Sequence, residues 1–76
     1  MTLKDLKVGQ KARVLEIGGE KIFRCRLLEM GITPYTMITI KKIAPMGDPI
    51  ELFLRGYVLT IRLSDAENIT VEEIES

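Results

Sequence analysis

Glycine and proline interrupt this 76-residue chain so often that long elements are excluded. Gly9, Gly18-Gly19, Gly31, Pro34, Pro45, Gly47, Pro49 and Gly56 leave no uninterrupted segment longer than eleven residues before the last glycine. Most of these segments have strand length. Isoleucine, valine and threonine make up 20 of the 76 residues, and side chains branched at Cβ favour the pleated, half-buried surface of a sheet. The chain therefore reads as mainly β. A chain this short buries only about 60% of the surface its unfolded form exposes, so it has a thin core and forms a single domain over residues 1–76.

Periodicity assigns the segments. From Gln10 to Ile17, Ala12 and Val14 point one way and Lys11 and Arg13 the other, as in a half-exposed strand. Between Glu20 and Met30 the period changes: Phe23, Leu27 and Met30 recur at i, i+4 and i+7, with Ile22 and Leu28 widening the stripe, which predicts a core-facing helix. Glu20 favours the dipole of its first turn and is spaced to pair with Arg24. Gly31 is the left-handed residue that ends the helix. Thr36 to Ala44 alternates again through Ile38 and Ile40, then meets the loop Pro45-Met46-Gly47-Asp48-Pro49.

A two-residue turn at Arg55-Gly56 places Leu54 opposite Tyr57, Leu52 opposite Leu59 and Ile50 opposite Ile61, all six on one face. A one-residue slip would turn half of them outward. This register leaves Phe53 opposite Val58 on the other face, beside Glu51, Thr60 and Arg62. Ser64-Asp65-Ala66-Glu67 fits a capping box and predicts a short helical turn. Ile69 and Val71 supply a last strand, and residues 73–76 are expected to be a frayed tail. The order β, α, β, β, β, helical turn, β is best closed into a small barrel of about five strands, since closure removes most exposed edges.

Charge and composition exclude several classes of function. Eleven basic and eleven acidic groups give zero formal net charge, which argues against a nucleic-acid partner; Lys41-Lys42 with Lys11 and Arg13 is the basic strip such binding would use. Histidine is absent and Cys25 is the sole cysteine, so neither a disulfide framework nor a His- or Cys-rich metal site can be built. Asp48, Glu51, Asp65 and Glu67 with the tail acids are a poor set for a tight transition-metal site. No nucleophile-and-base pair can be assembled, and Gly18-Gly19-Glu20-Lys21 lacks phosphate-loop spacing. No catalytic residue, metal ligand or cofactor is assigned, and the chain reads as a non-enzyme. Cys25 is expected to be a small buried or half-buried helix residue. Lys4, Asp5 and Lys7 break the N-terminus where a signal peptide needs an apolar run, and nowhere do ten apolar residues follow one another, so a cytoplasmic location without membrane insertion is expected.

Four motifs carry a family resemblance. Lys7-Val8-Gly9, Arg26-Leu27-Leu28-Glu29-Met30-Gly31-Ile32-Thr33-Pro34, Ala44-Pro45-Met46-Gly47-Asp48-Pro49-Ile50, and Arg55-Gly56-Tyr57 with Leu59 and Arg62 resemble, in order and spacing, the ferrous iron transport protein A (FeoA) family. The resemblance implies an SH3-like barrel with an inserted helix. It also implies a cytosolic accessory protein of bacterial ferrous iron uptake that acts on the membrane transporter FeoB, which carries a cytosolic GTPase domain. The same barrel ends iron-dependent repressors, which makes a regulatory module for such a repressor the alternative. Members commonly have glycine after the proline of the helix-to-strand turn, whereas this chain has Tyr35. A type I turn is expected there, because type II would force tyrosine to positive φ.

What remains is recognition of another protein. Phe53 and Val58 form an apolar pair opposite the core face, open to a partner unless the helix or tail covers it. Met46 and Asp48 sit in a loop shaped by prolines, so ordering it on binding costs little. Arg55, at the hairpin tip, can fork to a partner carboxylate or pair internally with Asp48 or Glu51. Tyr57 is assigned to the core wall with its hydroxyl at an edge. Self-association through the Phe53 and Val58 pair is a further option.

Overall fold

The computed structural model describes residues 1–74, and its elements follow the glycine and proline punctuation. They are β1 (Lys11–Ile17), α1 (Lys21–Glu29), β2 (Met37–Ile43), β3 (Ile50–Leu54), β4 (Tyr57–Ile61), α2 (Leu63–Ala66) and β5 (Ile69–Ile74), preceded by a 3-10 turn at Leu3–Asp5. The strands form one antiparallel sheet in the order β4-β3-β2-β1-β5. The mainly β architecture, with one helix after the first strand and a short one before the last, is the one expected. β5 extends further than anticipated: Glu73 and Ile74, assigned to a frayed tail, pair with Ala12 and Lys11. Residues 75 and 76 of that tail lie outside the described residues.

Alternate residues of every strand meet in one core. Ala12, Val14, Ile38, Ile40, Ile50, Leu52, Leu54, Ile61, Ile69 and Val71 are buried there with Leu3, Leu6, Leu27, Ile32 and Ala66. Bulges at Leu15 in β1 and Lys41 in β2 shift the register. An extra residue bends and twists its strand, which helps five short strands wrap around a single core. The hairpin register is the expected one in all five pairs, and Arg55 and Gly56 both take positive φ (+48° and +86°), as a turn matching the strand twist requires. The outer edge of β5 is partly covered, since Val71 N donates to Met1 O at 3.0 Å and Thr2 bridges Thr70. β4 is the other end of the sheet, and no described strand pairs beyond it.

α1 ends as its sequence dictates. Gly31, at φ +99°, follows the last turn; Gly31 N donates to Leu28 O and Ile32 N to Leu27 O, both at 3.0 Å. These bonds satisfy the carbonyls a helix end leaves open, and the accompanying apolar contact joins Leu27 to Ile32, both fully buried. The start of the helix differs from expectation: Glu20 is the extended residue before the first turn, and the described ion pairs, Lys4–Glu67 and Arg26–Asp65, do not include Glu20–Arg24.

Two other local expectations are corrected. The Thr33-Pro34-Tyr35-Thr36 turn has Tyr35 at φ +70° with Thr36 N donating to Thr33 O at 3.1 Å, so it is of type II, not type I. Tertiary hydrogen bonds impose this: Tyr35 N donates to Val14 O at 2.6 Å, and Val14 N donates to Thr36 O at 2.9 Å. Ser64 is not the residue that caps α2, because the helix starts at Leu63, two residues earlier than a Ser64 cap requires, after extended Arg62. The first amide, Leu63 N, instead donates to Asp48 Oδ1 at 2.9 Å.

Candidate functional site

The five residues proposed for partner contact fall into two groups. Phe53 and Val58 are directly opposed in β3 and β4 and are 41% and 48% exposed. A two-residue hairpin loop makes Leu54 and Tyr57 the first hydrogen-bonded pair, so Phe53 and Val58 are a non-bonded pair, whose side chains approach most closely. Neither the helix nor the last strand covers them. Lys41 Nζ lies 5.7 Å from the Phe53 ring centroid, an arrangement that favours the cation over the ring face. Met37, 42% exposed on the outward side of β2, adds a third apolar residue to this face of the sheet. Met46 is fully open at 90% exposure, on a turn closed by Gly47 N donating to Ala44 O at 2.7 Å.

Asp48 and Arg55 are tied internally, at opposite ends of β3. Asp48 reaches across to the first amide of α2, which joins the proline-flanked loop to that helix. Arg55 pairs with neither Asp48 nor Glu51. Its Nη2 donates to Thr33 Oγ1 at 3.0 Å and Thr36 Oγ1 at 3.2 Å, and those two hydroxyl oxygens are 2.7 Å apart. The hairpin tip is thereby stapled to the Pro34-Tyr35 turn. Tyr57 completes this end of the molecule. Its ring is more exposed than a core-wall residue, at 39%, and its hydroxyl donates to Met30 O just after α1. The residues of two sequence motifs, Met30-Gly31 with Thr33 to Thr36 and Arg55-Gly56-Tyr57, thus form one constellation, which sequence spacing could not show.

The sequence reading missed a second exposed surface. Ile22 and Leu28, assigned to the core stripe, are 82% and 44% exposed, and Cys25 is exposed as well. At 3.6 residues per turn, Ile22, Cys25 and Leu28 occupy the side of α1 away from Leu27, so only Phe23, Leu27 and Met30 face the core. The signal was present as apolar residues on more of the helix than one face can bury. With Leu15, Pro34, Glu16, Lys21 and Arg24, the residues Cys25 and Leu28 line a groove of about 420 Å³.

Asp48, Asp65 and Glu67 are each engaged with a different partner, Leu63 N, Arg26 and Lys4. Among the described residues no three His, Cys, Asp or Glu side chains converge on a metal position. No described helix is long and apolar enough to cross a membrane.

Comparison with known proteins agrees with this geometry. The family model of the FeoA domain matches residues 1–73. An Fe(2+) transport protein A/Fe(2+) transporter FeoB fusion protein of Porphyromonas gingivalis is 37% identical over all 76 residues. The chain spans only 9% of that relative's length. The FeoA-like protein of Clostridium acetobutylicum superposes with a TM-score of 0.91 at 41% identity, covering 100% of this chain and 88% of that one. The FeoA of Stenotrophomonas maltophilia, described as a procaryotic SH3 domain protein and solved with zinc, shares the fold (TM-score 0.81, 22% identity, 95% of this chain and 89% of that one). The fold is thus SH3-like, as the resemblance implied.

Proposed function

The chain belongs to the FeoA domain family, and from that premise we propose that it is a non-enzymatic accessory protein of ferrous iron uptake, which docks on the cytosolic part of a FeoB-type membrane transporter and modulates it. One observation carries the reading: in the Porphyromonas gingivalis relative, a stretch 37% identical to this whole chain lies within a protein that is also the transporter. Covalent linkage keeps two modules at high effective concentration and is useful only where they can engage one another. A separate chain of the same family would meet its transporter by surface affinity instead.

The face bearing Phe53, Val58 and Met37 is the best-supported contact region, with Met46 as an outlying anchor. A standard interface takes about 800 Å² from each partner, about a sixth of the 4874 Å² this chain exposes. The three residues would be the apolar centre of such an area, with polar neighbours as its rim. Asp48 and Arg55 contribute by holding the loops around it, since their side chains already have internal partners.

The test is capture of the intact transporter from detergent-solubilised membranes, and of its soluble GTPase domain, by the wild-type protein and by Phe53→Glu. The variant is expected to stay folded, because Phe53 faces outward, and to lose capture. Absence of wild-type association at high micromolar concentration would end the docking reading; undiminished capture by Phe53→Glu would move the contact to another face.

A further inference from the structure

Hydrogen-bond parity in the hairpin leaves one sheet edge unused. Leu54 and Tyr57 flank the two-residue turn, so they, Leu52 with Leu59 and Ile50 with Ile61 are the pairs that exchange backbone hydrogen bonds. The N–H and C=O groups of Val58 and Thr60 therefore point away from β3, and no described backbone group bonds to them. The fold covers part of its other edge with Met1 and Thr2 but places no strand here. β4 also lacks the usual protection of an edge, since Tyr57–Ile61 contains neither a charge nor a proline. Beside its Thr60–Ile61 end lies a groove of about 560 Å³, lined also by Arg26 of α1, by Met30 just after that helix, and by Arg62 and Asp65.

We infer that the outer edge of β4 accepts an extended, acidic segment of a partner protein as a sixth strand. The unsatisfied backbone groups select an extended chain, which would pair at the usual strand spacing of about 4.8 Å. A second copy would offer its own β4, Tyr57–Ile61, which carries no acidic side chain for Arg26 and Arg62 to meet. Charge selects the acidic character: Arg26 and Arg62 face one carboxylate, Asp65, which already lies 3.8 Å from Arg26. Arg62 has no ion partner among the described residues. Main-chain bonds supply affinity in this mode of recognition and alternate side chains supply selectivity. The inference concerns what the edge binds and holds whichever protein supplies the segment.

The experiment follows backbone amide exchange by NMR during titration with a blocked peptide, Glu-Val-Thr-Val-Thr-Glu, and with a version carrying lysine for both glutamates. In the free protein the Val58 and Thr60 amides should exchange quickly while Leu59 and Ile61 are protected. The acidic peptide should slow exchange at Val58 and Thr60, and the lysine version should bind several-fold more weakly. Thr60→Pro removes an outward N–H that the β3 ladder does not use, so an edge strand tolerates it; it should weaken the peptide about tenfold or more. No protection at Val58 and Thr60, equal binding of both peptides, or protection that grows with protein concentration without peptide would each overturn the inference, the last by assigning the edge to a second copy. The transporter, run in parallel, separates the two readings. Peptide binding without transporter binding removes the docking proposal alone. Transporter binding that leaves both amides unprotected, and is indifferent to Thr60→Pro, removes the edge inference alone.

Discussion

At Tyr35 the ordinary rule for alanine and glycine should be reversed. The residue sits at φ +70°, where an L side chain places Cβ against the following carbonyl at a cost of about 1–2 kcal/mol. Glycine escapes that cost but gives the unfolded chain extra freedom worth about 0.4–1 kcal/mol. Comparing Tyr35→Ala with Tyr35→Gly cancels the lost ring, which is 73% exposed in any case, and isolates the backbone. The midpoints of those two ranges differ by about 0.8 kcal/mol in favour of glycine, or roughly 3–6 °C in Tm for a domain of this size. Both tertiary hydrogen bonds at the turn are made by main chain, Tyr35 N to Val14 O and Val14 N to Thr36 O, so neither substitution removes them. Thermal and urea unfolding followed by circular dichroism measures the pair, with the same two substitutions at exposed Arg24 in α1 as the control, where alanine should win by about 1 kcal/mol. A Tyr35→Gly variant no more stable than Tyr35→Ala would mean that the turn is of type I in solution and that the assigned strain is absent.

Three further outcomes follow from local contacts. Gly31→Ala combines the left-handed penalty at φ +99° with a Cβ that overlaps the Tyr57 hydroxyl. It should cost about 2–3 kcal/mol in urea unfolding, and a Tyr57→Phe background, which removes the obstructing oxygen, should make the double variant less than additive. Asp48→Ala leaves Leu63 N without its acceptor and should lower stability by about 1 kcal/mol, whereas Asp48→Asn, which keeps an oxygen there, should recover most of that loss. Ile22→Glu should change stability by no more than about 0.5 kcal/mol, while Leu27→Ala, five residues on and fully buried, should cost about 2–5 kcal/mol. Similar losses from the two would contradict the outward placement of Ile22.

The exposed contact face illustrates what could be read in advance and what could not. Parity alone places Phe53 and Val58 together and outward, because in a hairpin the turn length sets the register and the register sets the face. Met37 belongs to the same face, but joining it required the β2 to β3 pairing, which spans the Pro45 to Pro49 loop and has no short-range signature. Arg55 shows the limit more sharply. Its capacity for forked hydrogen bonds was legible, but its acceptors, Thr33 and Thr36, are 22 and 19 residues away. Asp48 likewise serves a helix 15 residues on, and no local pattern marks a cap supplied from that distance.

Glycine and proline punctuation, β-branched content and two-residue alternation determined the elements, their order, the hairpin register and most of the core, since all of these depend on neighbours within one turn or one strand. The family resemblance is of the same kind, carried by short motifs in a fixed order. Tertiary structure decided the rest. Hydrogen bonds from β1 hold Tyr35 at positive φ against its own preference, and packing against one side of α1 determines which of its apolar residues are buried. The long-range strand pairing leaves β4 as an open edge. Each of these depends on groups far apart in the chain, whose meeting is paid for by the whole core and is therefore not encoded at any single position.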